Sequence, residues 1–300
     1  MPLSSPTAPP TTQRRRRWRR TGWRSRSCRA RTCCAAAHSS RSTSTRTSRT
    51  RMTGSDVPSE SEPGAGPPHR PDVDLRHLLT GALMDQGPRP VCLPFALSHA
   101  HGTLVNAYSG NGGGAAMAPE AIWWHCTVRG HTSTGGMLLE HGAVALRDSG
   151  QPSLASWPWN RHLGVGTEDP PTAVGQPPWH RATVLEFDLA HDGVEDQLEE
   201  ALAAGHPVVL IVEVTREFEN AGPDGSIELP DIRSPEGDYH AVLAVGAATH
   251  SDARRRLLIR NSWGPYWGAG GYGWLPLDYL VANAVQAAVL IPPAPTNGAP

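Results

Sequence analysis

The sequence predicts an α+β fold in two lobes. Two observations carry that expectation. Through the first half of the globular part, apolar residues recur at three- and four-residue spacing, as on helices. In the second half, short apolar and β-rich runs are separated by Gly, Pro and Asp, as in strands joined by turns. Helices first and strands later, rather than a strict alternation, is the order of α+β proteins, and the cleft between two such lobes is a natural place for a site.

The elements follow in order. Val91–Tyr108 is expected as a helix because Leu93, Leu97, Ala100, Leu104 and Tyr108 share one face, with Pro94 tolerable only in the first turn. Pro119–Cys126 and Gly136–Asp148 are the next two helices. Val194–Ala204 is the fourth, with Val194, Leu198, Ala201 and Leu202 on one side and Gly205 placed to end it. The strands are Val208–Val214, His240–Ala247, Leu257–Ser262, Gly271–Leu275 and Ala287–Ile291.

Composition bounds the rest. All 27 basic residues are arginine, so a lysine Schiff base and the Gly-Lys-Ser/Thr phosphate loop are excluded, and the Gly-rich run Ser109–Gly114 is a loop rather than a nucleotide cradle. Residues 1–70 are rich in Arg, Ser, Thr and Pro, then Gly, and cannot bury enough apolar surface to offset chain entropy; they are expected to be a disordered leader. The first 51 residues hold 14 arginines and no acid, and composition changes at Met52, which is the proposed true start. Residues 71–293 form the expected domain and 294–300 a disordered tail. From Met52 onward 28 acidic residues face 13 arginines, and that acidity of 15 charges argues against nucleic acid. No apolar run approaches the ~18–20 residues of a membrane span. The domain holds only Cys92 and Cys126, too few for a disulfide scaffold, which fits a reducing, cytoplasmic compartment with no intradomain disulfide.

Four residues carry candidate chemistry. Cys92 stands at the expected start of a helix, where unpaired N–H groups and the helix dipole favour a thiolate. Gln86, six residues earlier behind a Gly/Pro-rich turn, has a side-chain amide able to donate to an oxyanion. His240 begins the apolar run Ala241–Val245 and can serve as a base. Asn261 follows Leu257–Ile259 and can accept an imidazole N–H, with Trp263 placed to shield that bond. Taken singly, each also fits a structural role: a buried thiol, a turn glutamine, a strand-end histidine, a packing loop. His240 lies 148 residues after Cys92, within the ~130–150 of papain-type enzymes, and Asn261, 21 further on, overshoots that range slightly. His99, His101, His125, His131 and His141 do not make a closed four-ligand set with Cys126, so no metal is expected, and no cofactor either.

The chain resembles the papain family of cysteine peptidases, in its bacterial, disulfide-free form, over about Asp72 to Ile291. Three segments carry the resemblance: Asp85-Gln86-Gly87 with Cys92 and Phe95-Ala96, His240 to Gly246, and Asn261-Ser-Trp-Gly with Trp267-Gly and Gly271-Tyr272. Ala118–Cys126, Thr134-Gly135-Gly136 and Trp157-Pro158-Trp159 fit as well. The resemblance implies a helical N-terminal lobe, a β-barrel-like C-terminal lobe and an active site in the cleft between them. It implies Cys92 as nucleophile, His240 as general base and acid, Asn261 as orienter and Gln86 as oxyanion donor. Gly135, Gly136 and Trp263 would bind substrate. The chain departs from the family pattern in having Leu93 where Trp is usual, and Arg89 and Ser133 where many relatives have cysteines.

The implied activity is hydrolysis of peptide bonds through a thioester, with a peptide or protein as partner and neither nucleic acid nor membrane. Two alternatives stand beside it: an amidase or acyl transferase with the same thioester chemistry, and a non-enzymatic peptide-binding module on the same fold. Substrate preference and oligomeric state are not legible in the sequence.

Overall fold

A helix whose first thirteen residues are all buried runs against one face of an open antiparallel sheet, and the rest of the chain is arranged around that pair. The computed structural model describes residues 70–109, 114–163, 165–189, 193–230 and 238–293. The expected leader up to residue 69, residues 110–113 of the glycine-rich run and the expected tail 294–300 lie outside the described residues.

The elements in chain order are β1 (Val73–Asp74), α1 (Cys92–Ser109), α2 (Pro119–Thr127), α3 (Leu139–Asp148), β2 (Thr183–Glu186), α4 (Val194–Ala203), β3 (Val208–Glu213), α5 (Arg216–Glu219), β4 (Tyr239–Thr249), β5 (Arg255–Arg260), β6 (Tyr272–Pro276), α6 (Leu277–Asn283) and β7 (Ala284–Ile291). The four expected helices and five expected strands are all present. β1, β2, α5 and α6 are additions.

The boundary differences have local causes. α3 begins at Leu139 rather than Gly136, because Gly136 sits at φ +101° outside helical space. α4 ends as its sequence predicts. Gly205 adopts φ +86°, its N–H reaches Leu202 O at 2.9 Å, and the His206 N–H reaches Ala201 O at 2.9 Å, a Schellman closure. Along α1 burial is all-round from Cys92 to Leu104 instead of confined to one face, and Tyr108, expected in the apolar stripe, is 68% exposed. The helix is embedded at its N-terminal end and outruns the core at its last turn.

The seven strands pair antiparallel in the order β2-β7-β3-β4-β5-β6, with β1 added beside β4. Two hydrophobic cores lie on the two sides. The first holds α1, α2 and α3 residues with Val209, Ile211, Ala241, Leu243 and Val245. The second holds α4, α5 and α6 residues with Val208, Leu210, Val212, Val242 and Ala244. The period of two along β3 and β4 sorts neighbouring side chains between them. In β4 the pairing with β5 shifts between Ala244 and Gly246, and Ala247 then joins the second core although parity from Val245 assigns it to the first. One bulged residue flips the face of the later strand positions. The α+β, two-lobed expectation holds, but the sheet is not closed into a barrel: β2 and β6 end the pairing order at opposite sides.

Candidate active site

The residues singled out in the sequence enter the site from two cores. Cys92 opens α1, is fully buried, and belongs to the first core together with Ala241 of β4. His240, the second residue of β4, is paired with Val212 of β3 and is 1% exposed. Its ring lies 4.5 Å from that of Trp263 and 6.0 Å from that of Phe218, a residue of the second core. These contacts place the imidazole against residues of the second core, next in sequence to Ala241 of the first.

Hydrogen bonds link the remaining parts to it. His240 Nε2 is 2.7 Å from Asn261 Oδ1, and the Ser262 N–H donates to the same oxygen at 2.7 Å. Because a backbone N–H also donates there, the amide must present its oxygen, and the imidazole must carry its proton on Nε2. Nδ1 is then the basic atom of the neutral ring. Ser262 continues the chain of contacts. Its hydroxyl donates to Gln86 Oε1 at 2.5 Å, and its carbonyl accepts the Gln86 N–H at 2.8 Å. Asp85 bridges to Trp263 on the same edge. Gln86 Nε2 donates to Arg89 O at 2.8 Å, so the amide plane is fixed by a bond at each end and one N–H of Nε2 remains for another acceptor.

The Asn261 loop is shaped by its glycines. Gly268 has φ +54°, and a Cβ there would lie 2.3 Å from Tyr272 O, so only glycine lets the loop turn this tightly. An aromatic cluster backs the histidine. Phe218 packs on Trp263, Trp267 and Tyr279 at ring separations of 5.7, 5.3 and 6.3 Å, and Trp267 Nε1 donates to Phe218 O at 3.1 Å. Sequence reading missed Phe218 and Tyr279. Phe218 lies on the four-residue α5, whose only sequence mark is Thr215, which caps the Phe218 N–H.

Burial sets the protonation of Cys126 and of the histidine. Burial pushes the Cys126 thiol up to about 12, and its Sγ donates to His141 O at 3.6 Å, so this thiol is inert. Burial pushes His240 down to about 4 against the opposing pull of the Asn261 bond, so the ring is neutral at neutral pH. No disulfide joins Cys92 and Cys126.

Gly135 and Gly136 line a cavity of about 460 Å³ with Ser133, Thr134, Met137 and Leu138. His131 and His141 stack at its wall, 4.0 Å apart and 13° from parallel. Among the described residues no three His, Cys, Asp or Glu side chains gather as a metal-holding group, and no helix is long and apolar enough to cross a membrane.

Comparison with known proteins supplies the family. The chain is 28% identical over 198 residues to a cathepsin L-like proteinase of Fasciola hepatica, covering 63% of this chain and 54% of that protein. It is 27% identical over 190 residues to a cathepsin L-like peptidase of Aedes aegypti, covering 63% and 53%. The chain therefore spans about half the length of these curated relatives. Among solved structures, xylellain, a cysteine protease from Xylella fastidiosa, superposes with a TM-score of 0.62 at 23% identity, covering 74% of this chain and 86% of that one. The sequence model of the papain family cysteine proteases matches residues 126–287, a span that includes Gly135, Gly136, His240, Asn261 and Trp263 and begins after Gln86 and Cys92. On that match, which covers more than half of its length, the chain belongs to the papain family of cysteine proteases.

Proposed function

We propose that the chain hydrolyses peptide bonds with Cys92 as nucleophile, His240 as base and acid, Asn261 as orienter and Gln86 as oxyanion donor. The observation that carries this reading is the unbroken run of hydrogen bonds from Gln86 through Ser262 and Asn261 to His240. It joins two residues 154 positions apart in the chain, an imidazole and an amide donor suited to serve one nucleophile.

The steps follow from the groups. His240 Nδ1 takes the Cys92 thiol proton, and Asn261 Oδ1 holds the resulting imidazolium through Nε2. The helix start at Cys92 favours the thiolate. The sulfur attacks the amide carbonyl. The remaining N–H of Gln86 Nε2 and the Cys92 backbone N–H receive the oxyanion. His240 returns its proton to the leaving amine, and water cleaves the thioester. Trp263, tilted 36° to the imidazole at a ring separation of 4.5 Å, keeps water from the His240–Asn261 bond.

An electrophilic peptide probe followed by mass mapping tests the nucleophile, and turnover of a peptide library tests the reaction. Labelling at Cys92 with turnover of peptides is expected. Labelling with acyl transfer to an added amine, and little hydrolysis, would favour the transferase. Peptide binding with neither labelling nor turnover would make the chain a binding module.

A further inference from the structure

The catalytic roles proposed above leave the buried Arg89 without a task, although its side chain is 0% exposed, as is that of Glu120 on α2. The guanidinium is held on every side. Nη1 donates to Glu120 Oε2 at 2.6 Å and to Asn160 O at 2.8 Å, and Nη2 donates to Glu120 Oε1 at 3.1 Å and to Gly166 O at 2.8 Å. Thr167 donates its hydroxyl to Glu120 Oε1 at 3.1 Å, so the carboxylate is fixed from the far side as well. Cζ sits 4.2 Å from the centre of the Trp159 ring, whose edge contact with Phe95 at 4.9 Å reaches the first turn of α1. A two-pronged ion pair of this kind holds position as well as charge.

What this clamp holds is a carbonyl. Arg89 O accepts two hydrogen bonds, one from Gln86 Nε2 at 2.8 Å and one from the Val91 N–H at 2.9 Å, the residue before Cys92. Displacing the Arg89 carbonyl therefore turns the Gln86 amide, which it holds at Nε2. Resting on the functional reading above, we propose that Arg89 is a positioning residue: the Arg89–Glu120 clamp fixes the carbonyl that aims the Gln86 amide at the oxyanion. It touches no substrate and acts only through Gln86.

The test exploits a reaction that uses the thiolate but forms no oxyanion. Alkylation of Cys92 by chloroacetamide needs the nucleophile and base, whereas peptide hydrolysis also needs Gln86. Because Arg89→Met alone would strand a buried carboxylate, the main variant is Arg89→Met with Glu120→Gln, which removes both charges. Arg89→Lys, which keeps the charge and loses the fork, is the second. For the paired variant, kcat should fall roughly tenfold to a hundredfold, short of the ~10²–10³ of a lost oxyanion donor. KM and the rate and pH profile of alkylation should stay within about twofold. In a Gln86→Ala background the same pair should cost no more than about a further twofold, since both act on one interaction. Arg89→Lys should fall between.

Wild-type kcat in the paired variant of a Cys92-dependent enzyme refutes this inference alone. Full additivity with Gln86→Ala, or alkylation falling in parallel with kcat, also refutes it and leaves a merely structural clamp. Peptide turnover that does not depend on Cys92 overturns the functional reading beneath it, and this inference with it.

Discussion

Acidification from pH 7.5 to 5 should destabilise the fold, through histidines that the core holds neutral. His101 and His125 are 0% and 1% exposed, and each has a side-chain partner at Nδ1. His101 Nδ1 meets Gln151 Oε1 at 2.8 Å, and His125 Nδ1 meets Ser149 Oγ at 2.6 Å. Burial pushes both from the ordinary 6.5 to about 4, with Arg129 and His131 adding to the effect at His125 and Asp148 opposing it. Burial, with Arg260 nearby, holds His99 well below its ordinary value too. A group whose folded pKa is depressed binds its proton first in the unfolded chain. Stability is therefore intact above 6.5 and is lost as pH falls towards 4. At pH 5 the unfolded imidazoles are mostly protonated and the folded ones are not, which costs about 2 kcal/mol per residue and about 4 for the pair. Set against a usual total of ~5–15 kcal/mol, that loss lowers Tm by about 8–16 °C in a domain of this size. Urea unfolding of the full chain at the two pH values measures it, and His101→Gln and His125→Gln should each remove about 2 kcal/mol of the difference. A stability that is flat or rising from pH 7.5 to 5, or a slope unchanged in both variants, would refute the reasoning.

Three further outcomes are expected at the site. His240→Ala should cost nearly as much activity as loss of the nucleophile, Gln86→Ala roughly 10²–10³ in kcat, and Asn261→Ala less than either; steady-state kinetics orders them, and a larger loss from Asn261→Ala than from His240→Ala contradicts the assigned roles. Cys126 should resist a thiol reagent in the folded chain and react once urea unfolds it, because its thiol has a pKa near 12 and donates to His141 O; rapid labelling of native Cys126 would contradict that. Gly268→Ala should lower Tm and kcat together, since its Cβ would meet Tyr272 O at 2.3 Å and displace the Asn261 loop; an unchanged Tm would show that the loop has room to spare.

The parts legible in the sequence were those with a local pattern. α1 and α4 announce themselves by apolar spacing and, for α4, by the glycine that closes it. Asn261 and His240 were legible because each borders an apolar strand, and the strand pairing brings them within 2.7 Å. What escaped depends on partners distant in sequence. β2 (Thr183–Glu186) is a half-buried edge strand whose one partner, β7, lies about a hundred residues on, so it lacks both alternation and a continuous apolar run. The open sheet was not foreseen because closure depends on how its end strands are placed, which no residue pattern encodes. Tyr108 continued the helical spacing past the point where the core supplies neighbours. The Arg89–Glu120 pair joins residues 31 apart and looks in sequence like two ordinary surface charges.

The central claim is that Cys92 is the nucleophile, and the direct measurement is peptide turnover by the full chain beside Cys92→Ala, with thermal unfolding of both. The account predicts that Cys92→Ala abolishes turnover, including covalent capture of the peptide probe, while its unfolding temperature stays close to that of the parent. Wild-type turnover by Cys92→Ala would contradict it.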